Sequence, residues 1–208
     1  MEFKSWPSIP RMSKERSIVT EKLDGSNSAV RIRPFNIDDD RSQQVDTISI
    51  DGDQYTVWAQ SRKRLLQPVK EKDNFGFARW VYENAPALVR VLGPGDHYGE
   101  WWGSGIQRGY GLSEKRFSLF NAPRWEEALS ATEALSEIPN LYRVPLLFAG
   151  QFYDLNVGEL RQDLIDNGSK AMPGFKSEGM VVYLREVNAS YKVLLENDDI
   201  HKWETKNV

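Results

Sequence analysis

A lysine followed two residues later by a carboxylate stands in the run Glu21-Lys22-Leu23-Asp24-Gly25-Ser26-Asn27. An amine is a nucleophile only when deprotonated, and a free lysine is almost wholly protonated near neutral pH. A neighbouring cation or a bound metal can release the lone pair. In a strand, residues i and i+2 share a face, so Lys22 and Asp24 can address one ligand if the chain stays extended that far. The plainer reading is a surface hairpin whose lysine makes a salt bridge. What decides between them is whether further chemistry lines up along the chain.

Three other stretches carry charge within or at the end of a predicted strand. Arg62-Lys63-Arg64 follows a strand, as a phosphate-gripping cluster or as a solvated rim. Glu100 lies inside His97-Tyr98-Gly99-Glu100-Trp101-Trp102-Gly103, a short apolar strand, where a buried carboxylate needs partners. Glu178 stands at the entrance of a β-prone run, Gly179-Met180-Val181-Val182-Tyr183.

The elements that must position these groups follow from periodicity. Alternation over residues 17–23 and 29–33, broken at Asp24-Gly25, predicts a hairpin over 17–34. Residues 36–44 are a polar loop. Two strands, 47–50 and 55–59, join across Asp51-Gly52-Asp53. A helix is predicted over 75–92, with Phe77, Trp80, Val81, Ala85 and Leu88 on its core face and a kink or division at Pro86. Residues 116–122 form a strand with Phe117, Leu119 and Ala122 inward. An amphipathic helix over 124–138, a strand over 144–150 with an edge-type Pro145 and a helix over 154–165 capped by Asp154 follow. The last strand is 191–195, and the tail from Asn197 reads as a short helix.

Composition narrows the chemistry. The 208-residue chain has no Cys and two His, which excludes disulfides, thiolate zinc sites and a cysteine nucleophile, and disfavours a multi-histidine metal site. Seven Trp within a 12% aromatic fraction allow both a core and platforms for flat ligands. A net charge of −3 means that any nucleic-acid surface must be a local patch. The start of the chain lacks the apolar segment of a signal peptide and no run reaches membrane-spanning length, so an intracellular, cytoplasmic protein is expected. Gly103-Ser104-Gly105-Ile106-Gln107-Arg108-Gly109 nearly matches a dinucleotide fingerprint, but its third glycine is one place late and no helical pattern follows.

Taken in order, Lys22-Leu23-Asp24-Gly25-Ser26-Asn27, Ser61-Arg62, Tyr98-Gly99-Glu100-Trp101, Phe120 and Glu178-Gly179-Met180-Val181 resemble motifs I, Ia, III, IIIa and IV of the covalent nucleotidyltransferase superfamily. That superfamily comprises ATP-dependent RNA and DNA ligases and mRNA capping enzymes, and the likeness is greatest to its RNA ligase branch. Lys192 resembles half of motif V, whose second lysine is here Leu194; the matched motifs run from residue 22 to residue 192.

The resemblance implies an α+β fold of one domain, residues 1–208. Two antiparallel β-sheets flanked by helices would hold nucleotide in a cleft, as in a ligase-type nucleotidyltransferase or ATP-grasp-like core. It implies Lys22 as the nucleophile that forms lysyl-AMP, with Asp24 and Glu178 orienting it or holding a hydrated metal, and Lys192 acting on the phosphates. Nucleotide contacts would come from Glu21, Lys22, Leu23, Asn27, Arg62, Glu100 (to the ribose), Phe120, Glu178 and Lys192. Phe120, which falls 20 residues after Glu100, is favoured over Phe117 as the aromatic that stacks on the base. Lys202 or the Arg62-Lys63-Arg64 cluster would compensate for Leu194. The implied cofactors are ATP and Mg²⁺, with Mn²⁺ able to substitute.

The implied reaction passes AMP to the 5′-phosphate of an RNA end, which a 3′-hydroxyl then attacks. About sixteen residues follow Lys192, too few for an oligonucleotide/oligosaccharide-binding (OB) domain, which favours an RNA ligase over a capping enzyme. The alternatives are a minimal DNA ligase of the same core and a non-catalytic module that binds nucleotide or nucleic acid. The partial motif V favours the module; the set Lys22, Asp24, Glu100 and Glu178 opposes it. A monomer is expected, with dependence on an accessory protein for end binding left open.

Overall fold

The computed structural model describes residues 2–5, 8–9, 11–38 and 44–196. Lys202 and the expected tail helix lie outside them, as do residues 39–43 of the polar loop. Eleven strands occur among the described residues: β1 (Arg16–Lys22), β2 (Ser26–Pro34), β3 (Asp46–Ile50), β4 (Asp53–Ser61), β5 (Leu65–Leu66), β6 (Gly95–Gly103), β7 (Lys115–Leu119), β8 (Leu141–Arg143), β9 (Leu146–Gln151), β10 (Gly179–Leu184) and β11 (Ala189–Leu194). Two helices accompany them, α1 (Phe77–Leu92) and α2 (Val157–Asn167). The chain forms two compact units, one of Met1–Lys22 with Pro145–Val208 and one of Leu23–Val144.

The first unit is a four-stranded sheet in the order β11-β10-β1-β9. β1 and β10 run antiparallel, with Glu21 opposite Met180 and Lys22 opposite Gly179. Val19, Met180 and Val182 are buried on one face, where Leu164 of α2 completes a small core. Alternation then turns Lys22, Thr20 and Val181 to the other face.

The second unit is a seven-stranded sheet ordered β3-β4-β2-β6-β7-β8, with β5 on β4. All its pairings are antiparallel except β7 with β8. α1 covers its inner face. There Phe77 packs against Phe117 (ring centroids 4.9 Å apart) and Trp101 (5.4 Å), and Trp80 against Trp101 (5.5 Å). Burying each such ring contributes roughly 1.5–3 kcal/mol or more, which makes this aromatic stripe core.

Most predicted elements form, and four expectations change. The hairpin over 17–34 does not exist: β1 and β2 belong to different sheets. Gly25 explains this. It does not make the tight turn; a Cβ there would lie 2.5 Å from the Trp101 carbonyl oxygen and 2.7 Å from the Trp102 Cβ, so the glycine permits close passage along β6. By contrast Asp51 (φ 51°) and Gly52 (φ 93°) both adopt the left-handed backbone of a true two-residue hairpin turn.

The helix expected over 124–138 is a single 3-10 turn, Ala122–Trp125, followed by irregular chain. The Ser130 hydroxyl accepts from the N–H groups of Thr132 and Glu133, offering the backbone an alternative to helix. Trp125, Leu129 and Ile138 are buried all the same, so apolar spacing found the core residues but not their conformation. Pro86 does not divide α1, which runs unbroken from Phe77 to Leu92; Pro86 and Tyr82 lie on its exposed side, where water can satisfy the carbonyl that loses its donor. The cap of α2 is Asn156, whose Oδ1 accepts from the Glu159 N–H (3.1 Å), and not Asp154. No helix of the described residues is long and apolar enough to cross a membrane.

Candidate active site

In the first unit, the functional geometry is set by register. Lys22 is the last residue of β1, and its partner Gly179 opens β10, immediately after Glu178. Lys22 Nζ donates to Glu178 Oε2 at 2.5 Å, joining residues 156 apart in the chain. Both side chains keep some solvent access, 28% and 20%. An ion pair of that exposure adds on the order of 1 kcal/mol or less to stability. Gly179 keeps the strand close to β11, for a Cβ there would sit 2.1 Å from the Val193 carbonyl oxygen. Its φ of +152° also suits glycine.

The sheet face that carries Lys22 also carries Lys192. Lys22, Gly179 and Leu194 form one cross-strand row, and Thr20, Val181 and Lys192 the next. The position where motif V would hold its second lysine is therefore in Lys22's own row, and Leu194 occupies it.

Glu21 goes the other way. It is buried on the opposite face, where Oε2 accepts from the N–H groups of Lys170 (2.8 Å) and Ala171 (3.0 Å). Its Oε1 has no hydrogen-bond partner among the described residues. The carboxylate is thus committed to the loop after α2, and the Glu21 N–H donates to the Pro145 carbonyl (3.0 Å).

In the second unit, Leu23 is buried. Asp24 lies in a bend beyond the end of β1 and does not continue the extended run of Lys22. Its N–H donates to the Tyr110 hydroxyl (3.0 Å), and its Oδ2 accepts from Arg108 Nε (3.0 Å).

The sheet face turned away from α1 presents a polar constellation. Asn27 and Glu100 are cross-strand partners, and Asn27 Nδ2 donates to Glu100 Oε2 (2.7 Å). Arg62 Nη2 donates to Asn27 Oδ1. Beside them is a cavity of about 270 Å³ lined by residues that include Asn27, Ala29, Gln60, Arg62, Tyr98 and Phe120. Phe120 is 41% exposed, whereas Phe117 is wholly buried in the aromatic core, so only Phe120 can offer a ring face to a ligand.

Further along this face Asp96 Oδ1 accepts from Arg31 Nε (2.9 Å) and Arg33 Nη2 (2.7 Å). Burial raises the Asp96 carboxyl, but hydrogen bonds from Arg33 and Arg31 outweigh it and hold the group below the usual carboxylate range. Sequence reading missed Gln60, Tyr98 and Arg108. Strand parity would have found the first two, since Tyr98 is two residues from Glu100 and Gln60 two from Arg62. Arg108 hid in the glycine-rich stretch.

Among the described residues no cluster of three or more His, Cys, Asp or Glu is arranged to hold a metal ion. Mg²⁺ needs no such cage, because it keeps several waters and takes one or two carboxylates plus substrate phosphates. Glu178, partly solvent-exposed beside Lys22, fits that donor set. Asp24 fits less well while Arg108 occupies Oδ2.

Solved structures of similar fold include a mutant of the Naegleria gruberi RNA ligase with ATP and Mn, at 16% identity and a TM-score of 0.55, covering 94% of this chain and 53% of that one. Another mutant of that ligase, with AMP and Mn, matches at 17% identity and a TM-score of 0.52, covering 88% and 50%. The same ligase with PPi matches at 17% and 0.54, again covering 88% and 50%. The chain therefore spans about half the length of the structures it matches. No curated protein sequence matches it significantly. The RNA ligase family profile matches residues 15–195, a span that takes in both the Lys22–Glu178 pair and the Asn27–Glu100 constellation, and the chain belongs to that family.

Proposed function

We propose that this protein is an ATP-dependent RNA ligase that works through a lysyl-AMP intermediate, with residues 1–208 acting as one catalytic domain. The observation that carries this reading is the contact between Lys22 Nζ and Glu178 Oε2. Adenosine binds at Asn27, Arg62, Glu100 and Phe120, with Glu100 on the ribose and Phe120 on the base. Stacking of that kind contributes about 1–3 kcal/mol. Five residues of chain link Lys22 to Asn27, which limits their separation to about 18 Å. Lys22 Nζ attacks the α-phosphorus. A phosphorus–nitrogen bond forms, the bond to the β-phosphate oxygen breaks, and pyrophosphate leaves.

Before attack the ammonium must lose its proton, and Glu178 Oε2 is in reach to accept it. A divalent cation, when bound, neutralises phosphate oxygens; Glu178, with Asp24 through water, would hold it, and Lys192 adds positive charge on Lys22's side of the sheet. AMP then passes to a 5′-phosphate, whose phosphorus the 3′-hydroxyl attacks as AMP leaves. Such chemistry depends mainly on positioning and charge neutralisation.

Support comes from the family, from the complexes of the Naegleria gruberi RNA ligase with ATP, AMP and PPi, and from the motif residues. An intracellular monomer, with an accessory protein for end binding left open, belongs to the same reading. The test is incubation with α-labelled ATP and Mg²⁺ or Mn²⁺, then with nicked and single-stranded RNA and DNA. Acid-labile label on the protein, followed by sealing of RNA, is expected; sealing of DNA alone would make it a DNA ligase. A second reading, a nucleotide-binding module without catalysis, is favoured by Leu194 in Lys22's row. ATP binding without covalent label would establish it.

A further inference from the structure

The open face of the seven-stranded sheet is organised in rows across its strands. One row runs Arg62, Asn27, Glu100, Ser118. Asn27 pairs with Glu100 and Glu100 with Ser118, and Arg62 closes on Asn27. The next row runs Gln60, Ala29, Tyr98, Phe120. Ala29 pairs with both Gln60 and Tyr98, and the Phe120 N–H donates to the Tyr98 carbonyl (2.9 Å). A third row holds Trp58, Arg31 and Asp96. Rows two residues apart are spaced about 6.5–7 Å, close to the step from ribose to base.

The middle row is shaped like a slot. Ala29, with its small side chain, forms the floor. On one side stands the half-buried carboxamide of Gln60, and on the other the exposed rings of Tyr98 (54%) and Phe120 (41%). All four line the cavity of about 270 Å³. From the row beyond, Arg31 Nη1 reaches the Gln60 amide oxygen at 3.5 Å while Asp96 fixes Arg31 through Nε. That 3.5 Å contact is at the outer limit of a hydrogen bond and yields readily to a better partner.

We propose that Gln60 and Tyr98 determine the nucleobase: Gln60 reads the base edge across the Ala29 floor, and Tyr98 packs the ring alongside Phe120. This rests on the reading of the Asn27–Glu100 row as the ribose site. A carboxamide carries one donor group and one acceptor. It pairs at once with adenine's N6 amino group and N7, whereas guanine offers two acceptors, O6 and N7, on that edge and leaves the amide oxygen facing an oxygen. The slot therefore favours adenine nucleotides over guanine nucleotides.

Covalent labelling from ATP and from GTP, with equilibrium binding of both nucleotides to the Lys22→Ala protein, tests this. Gln60→Leu is expected to reduce the ATP-over-GTP ratio about tenfold or more in both measurements. Tyr98→Ala is expected to raise the ATP concentration for half-maximal labelling about tenfold, and Tyr98→Phe to recover most of that loss. An unchanged ratio in Gln60→Leu, with wild-type labelling from ATP intact, overturns the base-reading role and leaves the ligase reading standing. A wild-type protein that takes no label, yet whose ATP preference in binding disappears in Gln60→Leu, upholds the base-reading role and overturns the ligase reading. A nucleotide preference is a readout that a packing defect alone does not reverse.

Discussion

The Lys22 end of the four-stranded sheet and the open face of the seven-stranded sheet place functional groups by different means. At the first, backbone register does most of the work. One antiparallel step sets Lys22 against Gly179, and Glu178 follows from its place in the chain. At the second, side chains hold one another: Arg62 to Asn27, Asn27 to Glu100, and Asp96 between two arginines. A site fixed by register tolerates no shift of the strand but needs few side-chain partners. A site fixed by a side-chain network degrades by degrees as members are removed. The first suits a reacting atom and the second suits recognition.

That contrast can be broken most sharply at Lys22. Lys22→Ala should abolish covalent labelling while circular dichroism and thermal melting stay close to wild type, because the ion pair it removes is partly solvated. Any retained labelling would place the nucleophile elsewhere. Glu178→Gln keeps the shape and removes the charge, and single-turnover labelling should slow about 100-fold or more. Gly179→Ala probes the backbone directly: the added methyl meets the Val193 carbonyl, and denaturant melts should register a loss of about 2 kcal/mol or more together with lost labelling. In the network, Asn27→Ala should be milder, raising half-saturating ATP about tenfold with a smaller effect on the saturated rate. A collapse of the saturated rate would show that the network also serves the chemical step.

The smallest effect expected is a pH effect on stability, away from both sites. His97 is buried against Trp125, its Nε2 donating to the Gly93 carbonyl (2.9 Å) and its Nδ1 unpartnered among the described residues. Burial pushes its pKa below the usual histidine value, and the nearby Arg124 charge adds to this against the pull of the Gly93 carbonyl and Asp96. A histidine whose folded pKa is depressed contributes stability in full above about pH 6.5 and loses it as the pH falls toward the folded value. Denaturation midpoints should therefore drop between pH 7.5 and pH 5.5. His97→Phe should flatten that part of the drop even though it forfeits the Gly93 bond.

Much of this was legible in the sequence, unevenly. Sequence patterning located nine of the eleven strands among the described residues and missed the short β5 and β8, and the order of Lys22, Glu100, Phe120 and Glu178 marked the candidate site. What alternation cannot convey is which strand lies beside which. Asp24-Gly25 has the composition of a hairpin turn, and only the closeness of Trp101 and Trp102 reveals why a glycine is needed there. Likewise apolar spacing over residues 124–138 is the same for a helix and for a chain tethered by Ser130. Glu21 and Leu23 sit beside the lysine in sequence, but one is turned to the opposite face and the other is buried, a distinction set by parity and packing rather than by residue type.

The chain order within the four-stranded sheet has a consequence for biogenesis. β1 lies between β9 and β10, so once synthesised it waits for more than a hundred residues before it can pair. Residues 23–144, by contrast, are contiguous and can condense while synthesis continues. The loop closed by β1 against β10 is a late, entropically costly event. Nascent chains that stop short of β10 thus lack the Lys22–Glu178 pair altogether.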